Sequence, residues 1–201
     1  MKKITTFALL LAALPTAWAA SEDTYAEFKA MMDRSFKTTG IAAKHRMYQL
    51  DLQKACSQDK PPAKAVQAKI EAEQLKTIRY PADGKYFGDW KAGEKIAVDG
   101  RGLTWTDKTP LNNGGGCYNC HQMSHHEVSY GTIGPSLLEY GKIRGNGDDI
   151  VKYTWGKIYN AKAFNACSNM PRNGDAEILT EKQMKDLMAY LFDPQSPVNK
   201  K

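Results

Sequence analysis

The chain has 201 residues, 42% of them hydrophobic and 25% charged, an ordinary globular make-up that fits one domain, or one domain with a sizeable extension. Its formal net charge is +6, of which Lys2 and Lys3 supply two, leaving a mildly basic +4 spread along the rest. That weak field, with no nucleic-acid motif in the sequence, excludes nucleic acid as an expected partner.

The N-terminus reads as a targeting segment. Lys2 and Lys3 precede an apolar run from Phe7 to Leu14, then Pro15 and the small-residue triplet Ala17-Trp18-Ala19. This is the three-part layout of a secretory signal peptide, expected over 1–20 with cleavage after Ala19 or Ala20. A membrane anchor is the competing reading, but the run is too short to span a bilayer and no later segment is apolar enough. The expected compartment is the periplasm, with no membrane span.

Residues 21–87 read as a helical N-terminal extension, and 88–201 as the main domain. Tyr25, Phe28, Met32 and Phe36 form one helical stripe, and Ile41, His45, Tyr48 and Leu52 a second, which Cys56 closes. A third helix is expected from Pro62 past Val66 and Ile70 to about Ile78. His45, on an apolar stripe, is expected to be a core or interface histidine rather than a ligand. The extension is expected to pack on the main domain or on a partner; a separate partner-binding module is the alternative.

Beyond Gly88, Asp89 can cap a short helix, Trp90 to Val98, whose interior Gly93 marks a close helix contact. A loop from Asp99 to Gly116 leads into Cys117-Tyr118-Asn119-Cys120-His121. Gly131-Thr132-Ile133-Gly134-Pro135 follows. A helix with Ile150, Val151, Trp155 and Ile158 as its buried side is expected from Asp148 to Tyr159. A loop containing Met170-Pro171 precedes a last helix, Thr180 to Phe192. There Thr180 and Gln183 have capping-box spacing, and Met184, Leu187, Met188 and Leu191 form a core stripe.

The five residues from Cys117 to His121 carry the chemistry. Two thiols at this spacing can add to the two vinyl groups on one porphyrin edge, and the histidine after the second reaches the iron. One covalently bound haem c is therefore expected, with Cys117, Cys120 and His121 as its attachment and proximal ligand. A redox-active dithiol is the main competitor, but it calls for a preceding strand where Asn112–Gly116 is a polar, glycine-rich loop. A zinc knuckle would need a second ligand pair; His125 and His126 are available, and nothing else clusters with them.

Among eight methionines, Met170 is the candidate for the sixth iron position. It lies 49 residues after His121 in a loop that Pro171 stiffens, and a thioether there raises the reduction potential and suits electron transfer. Met123 is too close to His121 in sequence, and Met184 and Met188 belong to the core stripe. A loop methionine filling a gap, or ligation by His125 or His126, remain alternatives. Once haem takes two cysteines, Cys56 and Cys167 are left in an oxidising compartment, and a disulfide between them is expected. Two unrelated buried thiols are the alternative.

From Gly88 to Leu191 the order of helix, C-x-x-C-H, glycine-proline, methionine loop and terminal helix resembles a class I cytochrome c, an all-α haem domain. The resemblance implies that the Pro135 carbonyl orients His121, and that Gly93 meets Tyr190 where the first and last helices cross. A narrower match is carried by Gly131–Leu137, Tyr140–Gly145, Lys157–Asn160, Cys167–Arg172 and Asp193–Asn199. Together these resemble the SoxX family, the small cytochrome subunits of SoxAX complexes in thiosulfate oxidation. Asn173 departs from the pattern, which has an aromatic after Met-Pro-Arg.

The resemblance implies a heterodimer with a SoxA-like haem subunit. That complex is an L-cysteine S-thiosulfotransferase: it joins thiosulfate oxidatively to a cysteine of a SoxYZ-like carrier protein. A downstream soluble cytochrome takes the electrons. In that division of labour this chain accepts electrons and holds no catalytic residue of its own. A free-standing periplasmic electron carrier is the alternative. An enzyme acting at its own haem, such as a peroxidase, would need an open sixth position.

Overall fold

The computed structural model describes residues 19–108 and 113–200. All but the last two residues of the expected signal peptide lie outside them. Among the described residues the regular structure is helical; the only β pairing is an isolated bridge between Thr39 and Ala42. The chain divides into two units, Met1–Thr38 and Thr39–Lys201. The first carries helix α1, Ala19–Ser35. Its Tyr25 and Phe28 are exposed, as is Phe36 just past its end.

The second unit contains six helices: α2 Asp51–Cys56, α3 Lys64–Leu75, α4 Trp90–Val98, α5 Tyr140–Arg144, α6 Asp148–Tyr159 and α7 Glu181–Phe192. Residues 39–87 therefore belong to the same unit as everything that follows.

The packing is organised by the crossing of α4 and α7. Asp89 caps α4 by accepting from the Lys91 N–H at 2.9 Å, which satisfies one of the free donors at the helix start. α7 begins with the reciprocal pair read from the sequence. Thr180 Oγ1 accepts from the Gln183 N–H at 3.2 Å, and Gln183 Oε1 accepts from the Thr180 N–H at 3.0 Å. At the crossing, a Cβ on Gly93 would run into the Asp186 carbonyl and the Tyr190 Cβ, so only glycine permits this approach. The chain ahead of α4 is tied to α7 as well: Gly88 N–H donates to the Lys185 carbonyl and Asp89 N–H to Asp186 Oδ1, each at 2.9 Å.

Met184, Leu187, Met188 and Leu191 of α7 are all buried, with Val151, Trp155 and Ile158 of α6 in the same core. Ile150 is half-buried against it. Each such side chain contributes about 1.5–3 kcal/mol by leaving water. Tyr190 and Phe192 of α7 are buried too, Tyr190 at the Gly93 crossing and beside Tyr118, Phe192 edge-on to Phe87 and Tyr140, and the C-terminal tail folds back on the end of the helix. Asn199 Nδ2 donates to the Leu191 and Asp193 carbonyls at 3.0 Å, and Val198 is wholly buried.

Residues 39–87 differ from the sequence reading in detail. The second stripe, Ile41 to Leu52, is not one helix: a 3₁₀ turn at Lys44–Met47 is followed by extended backbone at Tyr48 and Leu50, and α2 starts only at Asp51. The cause is local. The Ile41 carbonyl is taken by the Ala43 N–H at 2.9 Å and by the Arg46 guanidinium at 3.0 Å, and that guanidinium also binds the Leu103 carbonyl. The backbone acceptor a helix would use is thus spent on a side chain. His45 is exposed rather than buried on a stripe. The third helix is shorter than expected, Lys64–Leu75. The chain after it is fixed by Trp155 Nε1 donating to the Arg79 carbonyl at 2.8 Å.

Cys56 and Cys167 form a disulfide, with Cα atoms 5.4 Å apart and a sequence separation of 111. It fastens the end of α2 to the loop before Met170. Unreduced, unfolded protein should expose neither Cys56 nor Cys167 to alkylation, and intact mass before and after reduction checks this. Replacing both by serine should lower unfolding stability by up to about 4–5 kcal/mol on the chain-entropy account, read by urea titration. Stability unchanged within error would remove the cross-link as a stabilising element.

Candidate functional site

Cys117, Cys120 and His121 sit on a single turn. A 3₁₀ turn spans Cys117–Asn119, and the Cys117 carbonyl accepts from the N–H groups of both Cys120, at 3.1 Å, and His121, at 2.9 Å. Gly116 leads into it at φ +57°, a left-handed conformation that other residues adopt at a cost. Both cysteines are free thiols. The turn is anchored to α7 through the hydroxyls of Tyr118 and Tyr190, 2.5 Å apart.

The segment after the turn lies along it. Gly131 N–H donates to the Tyr118 carbonyl, Gly134 N–H to Cys120 and Leu137 N–H to Gln122, at 2.7–2.8 Å. This brings the Pro135 carbonyl 2.7 Å from His121 Nδ1. A carbonyl can only accept, so Nδ1 carries the proton and the neutral ring keeps its lone pair on Nε2. The approach is close: a Cβ on Gly134 would run into the imidazole. Glycine here lets the chain pass, and proline next presents the acceptor.

The turn forms one wall of a cavity of 770 Å³, whose lining also includes Met170, Pro171 and Asn173. That volume is in the range of small-molecule and cofactor sites. Met170 is half-buried, its N–H donating to Ser168 Oγ at 3.2 Å. Apolar side chains, among them Leu137, Ile158 and Leu191, make up much of the wall. Among the described residues its charged members are Arg144 and Lys157, both cations. Arg144 is held over the rings of Tyr140 and Tyr153. Burial pushes the Lys157 ammonium below its usual range, with Glu71 opposing that shift.

The remaining candidates fall elsewhere. His125 and His126 are exposed and outside the cavity lining. Met123, Met184 and Met188 are core side chains. Among the described residues no three His, Cys, Asp or Glu side chains converge as a bare metal ion would require. Burial pushes the Cys117 thiol up to about 12, the opposite of the depressed value that makes a dithiol pair reactive. Two thiols, an imidazole with a fixed tautomer and a thioether in one largely apolar cavity are a donor set that fits a covalently held haem.

Sequence reasoning missed two groups around this site. Arg144 and Lys157 were part of quoted motifs but had no role assigned, because a surface-type cation gives no signal that it borders a cavity. Lys162, four and six residues before the loop carbonyls it bonds, and Glu71, 95 residues from the loop N–H it accepts from, had no role assigned either. Asn173, flagged as a departure from the expected aromatic, is buried, and its Oδ1 is without a hydrogen-bond partner.

No model of a known protein family matches the chain. It is 40% identical over 152 residues to a protein of Aquifex aeolicus (strain VF5) described as an uncharacterized lipoprotein, a match covering 74% of this chain and 71% of that one. A matched stretch of that length in a chain of 201 residues includes the turn at Cys117–His121.

The raised Cys117 thiol gives a direct test in protein prepared without haem. Thiolate is the reactive form, so alkylation of Cys117 at pH 8 should be slow and should keep accelerating as pH rises past 9. A rate that levels off by pH 9 would mean the thiol is not held in its neutral form.

Proposed function

We propose that this chain, which belongs to the same family as the Aquifex aeolicus lipoprotein, is an exported c-type cytochrome that carries electrons in the periplasm. One observation carries the reading: Cys117, Cys120, His121 and Met170 line one cavity, with His121 Nδ1 bonded to the Pro135 carbonyl. A haem held there would supply a one-electron couple.

The protein's own residues account for the rest. Cys117 and Cys120 hold the group by thioether bonds, and His121 offers Nε2 to the iron because Pro135 keeps the proton on Nδ1. Met170 would offer its thioether to the iron, a donor that suits electron transfer better than peroxidase chemistry. Arg144 and Lys157 would give the cavity positive charge for an acidic group on whatever it holds.

Within this reading, the SoxX-like motifs support a place in a thiosulfotransferase complex. A carrier cysteine and the outer sulfur of thiosulfate form a disulfide bond, releasing one proton and two electrons. A SoxA-like haem subunit performs that step on a SoxYZ-like carrier, and this chain is the electron-accepting subunit that hands electrons to a soluble cytochrome.

Two measurements test the proposal. Met170→Ala should leave haem attached but convert it to high spin, or bring in another ligand, with loss of the long-wavelength charge-transfer band of thioether-ligated ferric haem. A retained low-spin spectrum with that band rules out Met170. The isolated chain should be redox-active yet unable to conjugate thiosulfate to a carrier thiol until a haem-bearing second subunit is added. Conjugation by the chain alone contradicts this division of labour, and failure of any such subunit to confer it leaves the free-standing carrier.

A further inference from the structure

We infer that Lys162 and Glu71 are positioning residues for the loop that carries Met170, so that residues 51–75, which a minimal cytochrome does not need, brace the axial ligand. The inference rests on the reading of Met170 as an iron ligand.

The loop from Asn165 to Pro171 has no regular structure to hold it. It follows a short 3₁₀ turn, Ala161–Ala163, whose Lys162 is buried at 8% exposure. The Lys162 ammonium donates to the carbonyls of Ala166 at 3.1 Å and Ser168 at 3.2 Å. Both acceptors belong to the loop, and they flank Cys167. Among the described residues no carboxylate forms an ion pair with it. Burying an ammonium without a carboxylate is costly, and an apolar side chain of similar length would fill the space at less cost. What the ammonium does that an apolar chain cannot is draw two carbonyls to one point.

The opposite side of the loop is held from α3. Glu71 Oε1 accepts from the Ala166 N–H at 3.0 Å, across 95 residues of sequence. Ala166 therefore has its N–H fixed by Glu71 and its carbonyl by Lys162. Ser168, fixed by Lys162, accepts from the Met170 N–H through its hydroxyl. A continuous path of bonds thus runs from Lys162 through Ser168 to the backbone of Met170. The turn bearing Lys162 is itself seated on α3, because Asn160 Nδ2 donates to Gln74 Oε1 and Thr77 Oγ1, both at 2.9 Å. The disulfide pins the loop at one residue, three before Met170. Lys162 and Glu71 fix its direction.

The test uses the full haem-bearing chain with Lys162→Met, Lys162→Arg and Glu71→Ala, and measures imidazole binding to the ferric form, which must displace the Met170 thioether. Lys162→Met should bind imidazole about tenfold more tightly, equivalent to about 1.4 kcal/mol, with a weakened charge-transfer band and a lower reduction potential. Glu71→Ala should shift all three in the same direction, and Lys162→Arg should return them towards the native values. Native imidazole affinity, band and potential in Lys162→Met overturn the inference. If that variant does not fold, native values in Glu71→Ala overturn it equally. A native protein that binds imidazole no more weakly than Met170→Ala removes the ligand assignment and the brace with it. Protection by Met170 that is unchanged in both brace variants removes the brace alone.

Discussion

The imidazole of His121 is confined on one side by the bare Cα of Gly134 and held on another by the carbonyl of Pro135. Much of the site depends on that confinement. It fixes which ring nitrogen carries a proton, and it requires the 131–137 segment to lie flat along the cysteine turn, which the bonds from Gly131, Gly134 and Leu137 secure. A bulkier residue at 134 would push the segment away, and both the acceptor and one cavity wall would move with it.

The second wall is positioned independently. The cysteine turn reaches the core through Tyr118 and Tyr190, on the helix that crosses α4 at Gly93. The methionine loop reaches it through Lys162 and through the disulfide and Glu71, the last two anchored in residues 51–75. The cavity lies where these two systems of contacts meet, so its shape is set by the whole second unit rather than by the residues of the C-terminal half alone.

Those elements that depend on neighbours in sequence were legible. The bounds of α4 and α6, the Asp89 cap and the Thr180–Gln183 box follow from capping chemistry and periodicity, which operate within a few residues. The Cys56–Cys167 disulfide was legible because the C-x-x-C-H motif set the other two cysteines apart and left one pair. The break between Ile41 and Leu52 was not legible. It arises from Arg46 reaching the Leu103 carbonyl, 57 residues away, and no periodicity records such a bond. Lys162 was not legible for a different reason: its bonds are local, but a lone lysine reads as solvated until the fold buries it.

The disulfide between Cys56 and Cys167 also sets a schedule for maturation. Four thiols can pair in three ways, and the shortest loop joins Cys117 to Cys120, which lie on one turn. An oxidant acting on the extended chain would close that small ring before it found partners 111 residues apart. A chain that is to receive haem needs the opposite outcome, one pair oxidised and the other reduced in the same compartment. Burial of Cys117 in its neutral form slows its oxidation once the domain has folded. Before folding nothing in the chain distinguishes the four, so on the proposed reading a reductant would have to keep the turn open until haem is attached.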